Sequence, residues 1–262
     1  MALDTTTIQK LAEHLDAAEN ECRDVVKITD EHPDMDWDDA YAIQDALRAI
    51  KEGRGVRITG LKMGLTSHAK MKQMGVKDPV RGFITDYGMV ADGGECDTST
   101  LIHPKVEAEI AFVTKKALSG PGCHIGDVLA ATDFVLPALE IIDSRYRDFK
   151  FDLKSVIADN TSAARYVLGG RSCNPVGIDL KNLGVVMEKN GVVVATGAGS
   201  AVLGHPAQSV AMLANMLGAR GEEIPAGTLI LTGGVTEAVA VEKGDSINVR
   251  YQHLGSVSLR FV

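Results

Sequence analysis

Cysteine is scarce in this chain, and its four copies (Cys22, Cys96, Cys123 and Cys173) are scattered. No C-x-x-C spacing occurs, which argues against a zinc site and favours free thiols in a reducing cytoplasm. Basic charge is also short. Against 35 Asp and Glu stand 27 Lys and Arg, a formal net charge of −8, so non-specific nucleic-acid binding, which needs clustered cations, is not expected. A small anionic substrate remains open, because a metal or local cations can reverse the field at one site. No run of about 18 apolar residues is present, so no membrane span is expected. The opening Met1-Ala2-Leu3-Asp4-Thr5 has neither the basic nor the apolar segment of a secretory leader.

The common catalytic signatures are missing too. The seven histidines form no H-x-x-x-H or H-E-x-x-H, and no G-x-S-x-G elbow offers a hydrolase nucleophile. The glycines of Thr232-Gly233-Gly234-Val235-Thr236-Glu237 and of Gly197-Ala198-Gly199 fit neither G-x-x-x-x-G-K-[ST] nor G-x-G-x-x-G, so they are not nucleotide loops. There is no internal repeat or low-complexity segment.

The 262 residues, 45% hydrophobic and 24% charged, suit one large soluble domain or a domain with a smaller appendage. Apolar spacing predicts a helix from about Thr7 to Lys27 and a second after a cap at Asp36, ending near Gly53 and Gly55. From about Arg57 onward short β-type runs dominate. Val185–Thr196 reads as a hairpin around Asn190-Gly191, a pair that tolerates the positive φ of a type I′ turn. A helix is expected over Pro206–Leu217, and strands at Thr228–Thr232, Ala238–Val241, Ser246–Tyr251 and Ser256–Val262. This gives an α+β chain with a helical N-terminal cover, residues 1–75, and a β-rich body, residues 76–262. The cover would exclude water from the site.

What stands out chemically is His103-Pro104-Lys105-Val106-Glu107-Ala108-Glu109-Ile110-Ala111-Phe112. On a strand Glu107 and Glu109 point to one face, about 7 Å apart, and that face continues as Ala111 and Val113. Two carboxylates on an apolar face repel and are costly to desolvate. A hard divalent cation removes both objections. Glu140, inside Val135-Leu136-Pro137-Ala138-Leu139-Glu140-Ile141-Ile142, is the third candidate ligand, on a run whose periodicity fits strand or helix. An ordinary edge strand with a wet face is the competing reading.

Lys62, in the glycine-flanked run Gly60-Leu61-Lys62-Met63-Gly64-Leu65-Thr66-Ser67, is either a surface lysine or a point charge for a substrate carboxylate. The polar stretch Ala158-Asp159-Asn160-Thr161-Ser162 is either a turn or a presenter of Ser162 and backbone N–H groups to an anion. The glycines after Thr232 permit close backbone approach to a ligand. Glu237 fits an acid, an ion-pair partner or plain surface.

These motifs, K-M-G-L-T at Lys62, H-P-K-V-E-A-E-I at His103, L-P-A-L-E-I-I-D-S-R at Leu136, A-D-N-T-S at Ala158, L-G-H-P at Leu203 and L-T-G-G at Leu231, occur in this order in one group. The chain resembles the hydratase/decarboxylase branch of the fumarylacetoacetate hydrolase superfamily from about Tyr41 to its end. The resemblance implies a folded mixed β-sheet, often called a pseudobarrel, with a small N-terminal α/β part. It implies one Mg²⁺ or Mn²⁺ on Glu107, Glu109 and Glu140. Lys62 and Ser162 would be catalytic, with Leu65, Val80, Arg81, Thr232 and Gly233 beside them around the substrate.

Hydratases of the branch typically read Q-P-D-[YF]-G where this chain has Lys77-Asp78-Pro79-Val80-Arg81-Gly82, so Val80 stands at their aspartate. The form T-G-G-V-T-E-A at Thr232 is similar to the decarboxylases instead. Those carboxy-lyases of catechol meta-cleavage, a route of aromatic-hydrocarbon catabolism, convert 2-oxo-3-hexenedioate to 2-hydroxy-2,4-pentadienoate and CO₂. The implied partners are a 2-oxo dicarboxylate and the hydratase that takes the unstable dienol. A dication on three carboxylates leaves the site anionic, so cations are needed nearby; Lys62, Arg81 and Arg145 are the candidates. Hydration or acylpyruvate hydrolysis on the same metal is the alternative, and a binding subunit with purely structural glutamates is a third.

Overall fold

A computed structural model describes residues 3–68, 71–72, 76 and 78–262. Met1, Ala2, Lys77 and residue 75, the expected boundary between cover and body, lie outside the described residues.

Helix α1 (Thr5–Asn20) starts at Asp4, whose carboxylate accepts from the Thr7 N–H at 2.7 Å. It stops seven residues before the expected Lys27. Cys22 takes a left-handed φ of 49° and the Arg23 N–H turns back to the Ala18 carbonyl, a Schellman-type ending that composition alone does not announce. Helix α2 (Trp37–Gly53) opens, as expected, at Asp36, which forms a reciprocal capping box with Asp39. Ile8, Leu11 and Leu15 of α1 pack with Ile43 and Leu47 of α2 and with a short helix the sequence did not announce, here placed at Leu153–Ala158. Val80 and Tyr146 close this satellite core.

The body is two sheets. The larger contains β1 (Ile58–Gly64), β2 (Val80–Thr85), β3 (Met89–Val90), β5 (Lys105–Thr114), β6 (Thr132–Ile142), β7 (Ala163–Leu168), β10 (Leu229–Leu231) and β11 (Val239–Ala240). Its order is β2-β1-β10-β5-β6-β7-β3, with β11 also on β5. β1 is thus an interior strand of the body sheet, between β2 and β10, although it precedes residue 75. The smaller sheet runs β4-β13-β12-β8-β9, from β4 (Gly94–Cys96), β8 (Gly184–Lys189), β9 (Val192–Ala198), β12 (Ser246–Tyr251) and β13 (Gly255–Phe261). Parallel pairs (β1–β10, β3–β7, β4–β13) occur among antiparallel ones. The fold is therefore the folded mixed sheet of the α+β expectation.

The β8–β9 hairpin turns at Asn190 and Gly191, both with positive φ, as the Asn-Gly pair predicts. The expected C-terminal helix is Pro206–Gly218. The run around Glu140, ambiguous by periodicity, is strand β6: both its faces are buried, so alternation is absent. The main core lies between the sheets and under Pro206–Gly218 and Ile125–Ala131, with Ile110, Phe112, Leu139, Ile141, Leu213 and Phe261 fully buried. Among the described residues no helix is long and apolar enough to cross a membrane.

Candidate metal centre and cavity

β5 and β6 are antiparallel neighbours in which Glu107 lies directly opposite Glu140, and Glu109 opposite Ala138. Alternation puts Glu107 and Glu109 on one face, and directly opposed residues share a face, so all three carboxylates converge. One oxygen from each lies within 4.8 Å of the others. Glu109 and Glu140 are 0% and 1% exposed. Beyond them the same face is apolar: Ala111, Leu136, Ala138 and Leu231 form their own cluster.

Each glutamate is held differently. Glu109 Oε2 accepts from the Gly233 N–H at 2.7 Å. Its backbone N–H donates to Tyr251 Oη at 3.1 Å, and that hydroxyl donates to the Ala138 carbonyl at 2.5 Å. A hydroxyl from the small sheet is thus inserted between opposed residues of β5 and β6 and fixes where Glu109 emerges. Glu140 Oε1 lies 2.6 Å from Lys62 Nζ, an ion pair out of line for a hydrogen bond. Lys62 instead donates to the Thr161 carbonyl at 2.9 Å.

Two buried oxygens, Glu109 Oε1 and Glu140 Oε2, receive no hydrogen bond, and a third, Glu140 Oε1, has only the Lys62 ammonium beside it. Burial, and then the charges of Glu140 and Glu107, raise the Glu109 carboxyl well above its ordinary value. Burial also raises Glu140, with Lys62 opposing it. Buried acceptors without donors are rare and costly. A dication answers all three at once, and an all-carboxylate donor set selects hard, oxygen-seeking ions. The residues fit the metal that the sequence implied.

Through Glu107 the trio adjoins a cavity of about 240 Å³, also lined by Lys62, Leu65, Val80 and Ser162; Glu109 and Glu140 lie buried behind it. Asn160, Thr161 and Ser162 carry φ of 48°, 52° and 58°, three consecutive left-handed residues without a glycine. Such backbone costs roughly 1–2 kcal/mol per residue, and it persists here because it is pinned. The Asn160 amide exchanges two 2.9 Å bonds with the backbone of Phe83 on edge strand β2. Arg145 grips Asp159 and donates to the carbonyls of Asp143 at 2.7 Å and Ala163 at 3.0 Å. The Ser162 hydroxyl, buried and without a protein partner, is left aimed at the cavity.

Four expected residues go elsewhere. Arg81 alternates with Val80 on β2, so it faces α2: it donates to Gln44 Oε1 at 3.3 Å and stacks 4.6 Å over Tyr41. Arg145 is buried beneath the Asp159–Ser162 turn. Thr232 donates to the Ile110 carbonyl at 2.8 Å and is wholly buried. Gly233 serves Glu109 instead of lining the cavity; at φ 100° any Cβ would fall 2.0 Å from Thr66 Oγ1. Glu237 is exposed.

Among the lining residues not singled out as site residues are Lys105 and Phe149. Lys105 was legible, since it precedes Glu107 by two on the same face. Phe149 was not: it belongs to an irregular turn with φ of 56° at Asp148 and 59° at Phe149. None of the described cavity-lining residues comes from α1 or α2. Their apolar faces are spent on each other and on Leu153–Ala158, so they back the wall through Val80 and Val156.

A curled mixed sheet that gathers two buried carboxylates and one half-buried one on adjacent strands fits a divalent-metal scaffold. Residues 68–262 match the model of the fumarylacetoacetate (FAA) hydrolase C-terminal family, and the chain belongs to that family. It is 62% identical over 260 residues to 4-oxalocrotonate decarboxylase of Pseudomonas putida, covering 99% of this chain and 98% of that protein. A solved 4-oxalocrotonate decarboxylase from Pseudomonas putida G7, complexed with magnesium and adipate, superposes with a TM-score of 0.98 at 59% identity, covering 100% and 99% of the two chains. Identity to 2-hydroxyhexa-2,4-dienoate hydratase of Comamonas testosteroni is 39%, with 98% of both chains covered.

Proposed function

We propose that this chain is a magnesium-dependent carboxy-lyase that decarboxylates 2-oxo-3-hexenedioate (4-oxalocrotonate) to 2-hydroxy-2,4-pentadienoate and CO₂. The observation that carries it is the carboxylate trio, with donor-less oxygens on Glu109 and Glu140 and with Glu107 lining a small cavity, in a chain 62% identical to 4-oxalocrotonate decarboxylase.

Glu107, Glu109 and Glu140 hold the cation. When bound there, it supplies Lewis-acid stabilisation of the negative charge that develops on the 2-oxo oxygen. In the substrate the C5–C6 bond breaks. Its electron pair becomes C4=C5, the former C3=C4 pair becomes C2=C3, and the charge reaches the oxygen on C2, which takes up one proton; C6 departs as CO₂. Lys62 stands beside Glu140 as a point charge for the C1 carboxylate and the 2-oxo group. Ser162 Oγ donates to the same end, and its fixed left-handed turn keeps it oriented before substrate arrives. Leu65, Val80 and Val156 supply an apolar part of the wall. Val80 stands where the hydratases carry an aspartate, so no carboxylate there can deliver water. This favours decarboxylation over the alternative hydration or acylpyruvate hydrolysis.

The proposed reading includes a cytoplasmic location beside other steps of aromatic breakdown and a pathway hydratase as the partner that receives the dienol; what supports it is the instability of that dienol product. Co-elution of the two on gel filtration tests that pairing. The activity itself is tested with purified protein, Mg²⁺ and 2-oxo-3-hexenedioate. CO₂ is expected to appear with the dienol and to stop on exhaustive chelation. Substrate loss without CO₂, or turnover that survives chelation, refutes the proposal.

A further inference from the structure

The cavity has two cations among its described lining residues, Lys62 and Lys105, and they differ in how far they are committed. Lys62 is engaged by Glu140 and the Thr161 carbonyl. Lys105 pairs with no carboxylate among the described residues. Its ammonium sits 4.0 Å over the ring centre of Phe149. That ring is also held from another side by His103, centroid to centroid at 5.3 Å. A cation on an aromatic face is placed but still carries donors for a stronger partner. Lys105 is one alternation step beyond Glu107 on β5, about 7 Å along the strand, a length similar to an extended six-carbon chain.

We infer that Lys105, positioned by Phe149, is the recognition site for the distal carboxylate of the substrate and makes the enzyme selective for diacids over monoacids. The inference rests on the proposed decarboxylase reading and deepens it. The C6 carboxylate loses its charge as CO₂ forms, so an ion pair to it is no stronger in the transition state than in the ground state. Such an interaction lowers KM and cannot raise kcat. Phe149 limits the grip: the ammonium is shared with the ring face, and the carboxylate is anchored without being locked.

The test uses Mg²⁺-loaded full-length protein and calorimetry with three probes: oxalate, adipate and hexanoate. Wild type is expected to bind adipate at least tenfold more tightly than hexanoate. Lys105→Met is expected to bind the two within about threefold of each other, while Lys105→Arg keeps the preference. Oxalate, which needs only the metal end, is expected to bind all three proteins alike, which also shows that the variants are folded. In turnover Lys105→Met is expected to raise KM tenfold or more without lowering kcat. An adipate preference that survives in Lys105→Met, or a fall in kcat at constant KM, overturns the inference. Failure of wild type to bind oxalate with Mg²⁺ instead overturns the metal reading beneath it, a distinguishable result.

Discussion

Replacing Glu109 by glutamine is expected to make the metal-free protein no less stable, and even more stable, while removing its response to magnesium. Glu109 is completely buried, one oxygen accepts from Gly233, and the other has no donor. The amide of glutamine keeps the acceptor for Gly233 and adds an N–H₂ group facing the carboxylate of Glu140. Relief of a buried unsatisfied group is worth roughly 1–3 kcal/mol. The sign with pH follows from the raised carboxyl. Above the ordinary 4.5 the unfolded chain has released this proton while the folded, metal-free protein still holds it. Stability of the metal-free wild type therefore falls as pH rises through that window. Metal competes with those protons, so its stabilising effect grows in the same direction.

The size follows from linkage. At 100 times its Kd, magnesium stabilises by about 2.7 kcal/mol. At roughly 2–4 °C per kcal/mol for a chain of this size, wild type is expected to gain about 5–10 °C in Tm. The assay is thermal melting followed by circular dichroism, with EDTA or excess Mg²⁺, at pH 6 and pH 8. Wild type should show the larger magnesium shift at pH 8. Glu109→Gln should show almost none, with a Tm in EDTA at or above wild type. A variant that melts several degrees lower in EDTA, or that still gains the full shift with magnesium, refutes the reasoning: the carboxylate would then be part of the scaffold.

Ser162→Gly and Ser162→Ala are expected to lose roughly 10²-fold in kcat, the scale of one positioned donor, with the magnesium Tm shift retained. Only the glycine variant should melt higher than wild type, because it relaxes a left-handed residue. Gly233→Ala is expected to weaken magnesium binding, read by calorimetry, because its Cβ would strike Thr66 and draw the amide away from Glu109. Arg81→Ala is expected to lower Tm by an amount equivalent to about 1–3 kcal/mol and to leave KM for the diacid unchanged, as befits a side chain that faces Gln44 and Tyr41. A KM rise there would reinstate it as a substrate residue.

The carboxylate trio could be read from sequence because it violates a local rule: charged residues at period two on a strand whose remaining positions are apolar on both faces. Glu140 was accessible for the same reason, even though its secondary structure was not, since burial on both faces erases the alternation that distinguishes strand from helix. Arg81 was misplaced because one residue of register on β2 reverses the facing side, and neighbouring Val80 holds the cavity face. Thr232 and Gly233 were assigned to substrate because glycine signals close approach. The approach is real but is made to Glu109 and Thr66. The wall from Phe149 to Val156 was invisible, since two left-handed residues and a six-residue helix carry no period. That α1 and α2 would spend their apolar faces on each other and on Leu153–Ala158 was not legible either, because no sequence term describes which element an amphipathic face will meet.

Charge decides how such a site can work at all. Three carboxylates and one dication leave one negative charge, which would repel a dianionic substrate. Lys62 cancels that charge from inside, at 2.6 Å from Glu140, which leaves the metal end neutral overall. A second positive charge is then required to attract a diacid, and with Arg81 and Arg145 turned away, Lys105 is the described lining residue that provides it. The two lysines divide the labour by depth. The inner one makes a buried cluster of acids tolerable until metal and substrate arrive. The other, held on an aromatic face and by no carboxylate among the described residues, stays available in the cavity. Exchanging these roles would fail on physical grounds. An outer lysine neutralised by a glutamate could not recruit the distal carboxylate, and an inner lysine parked on a ring would leave Glu140 as a buried charge without a partner, which costs several kcal/mol.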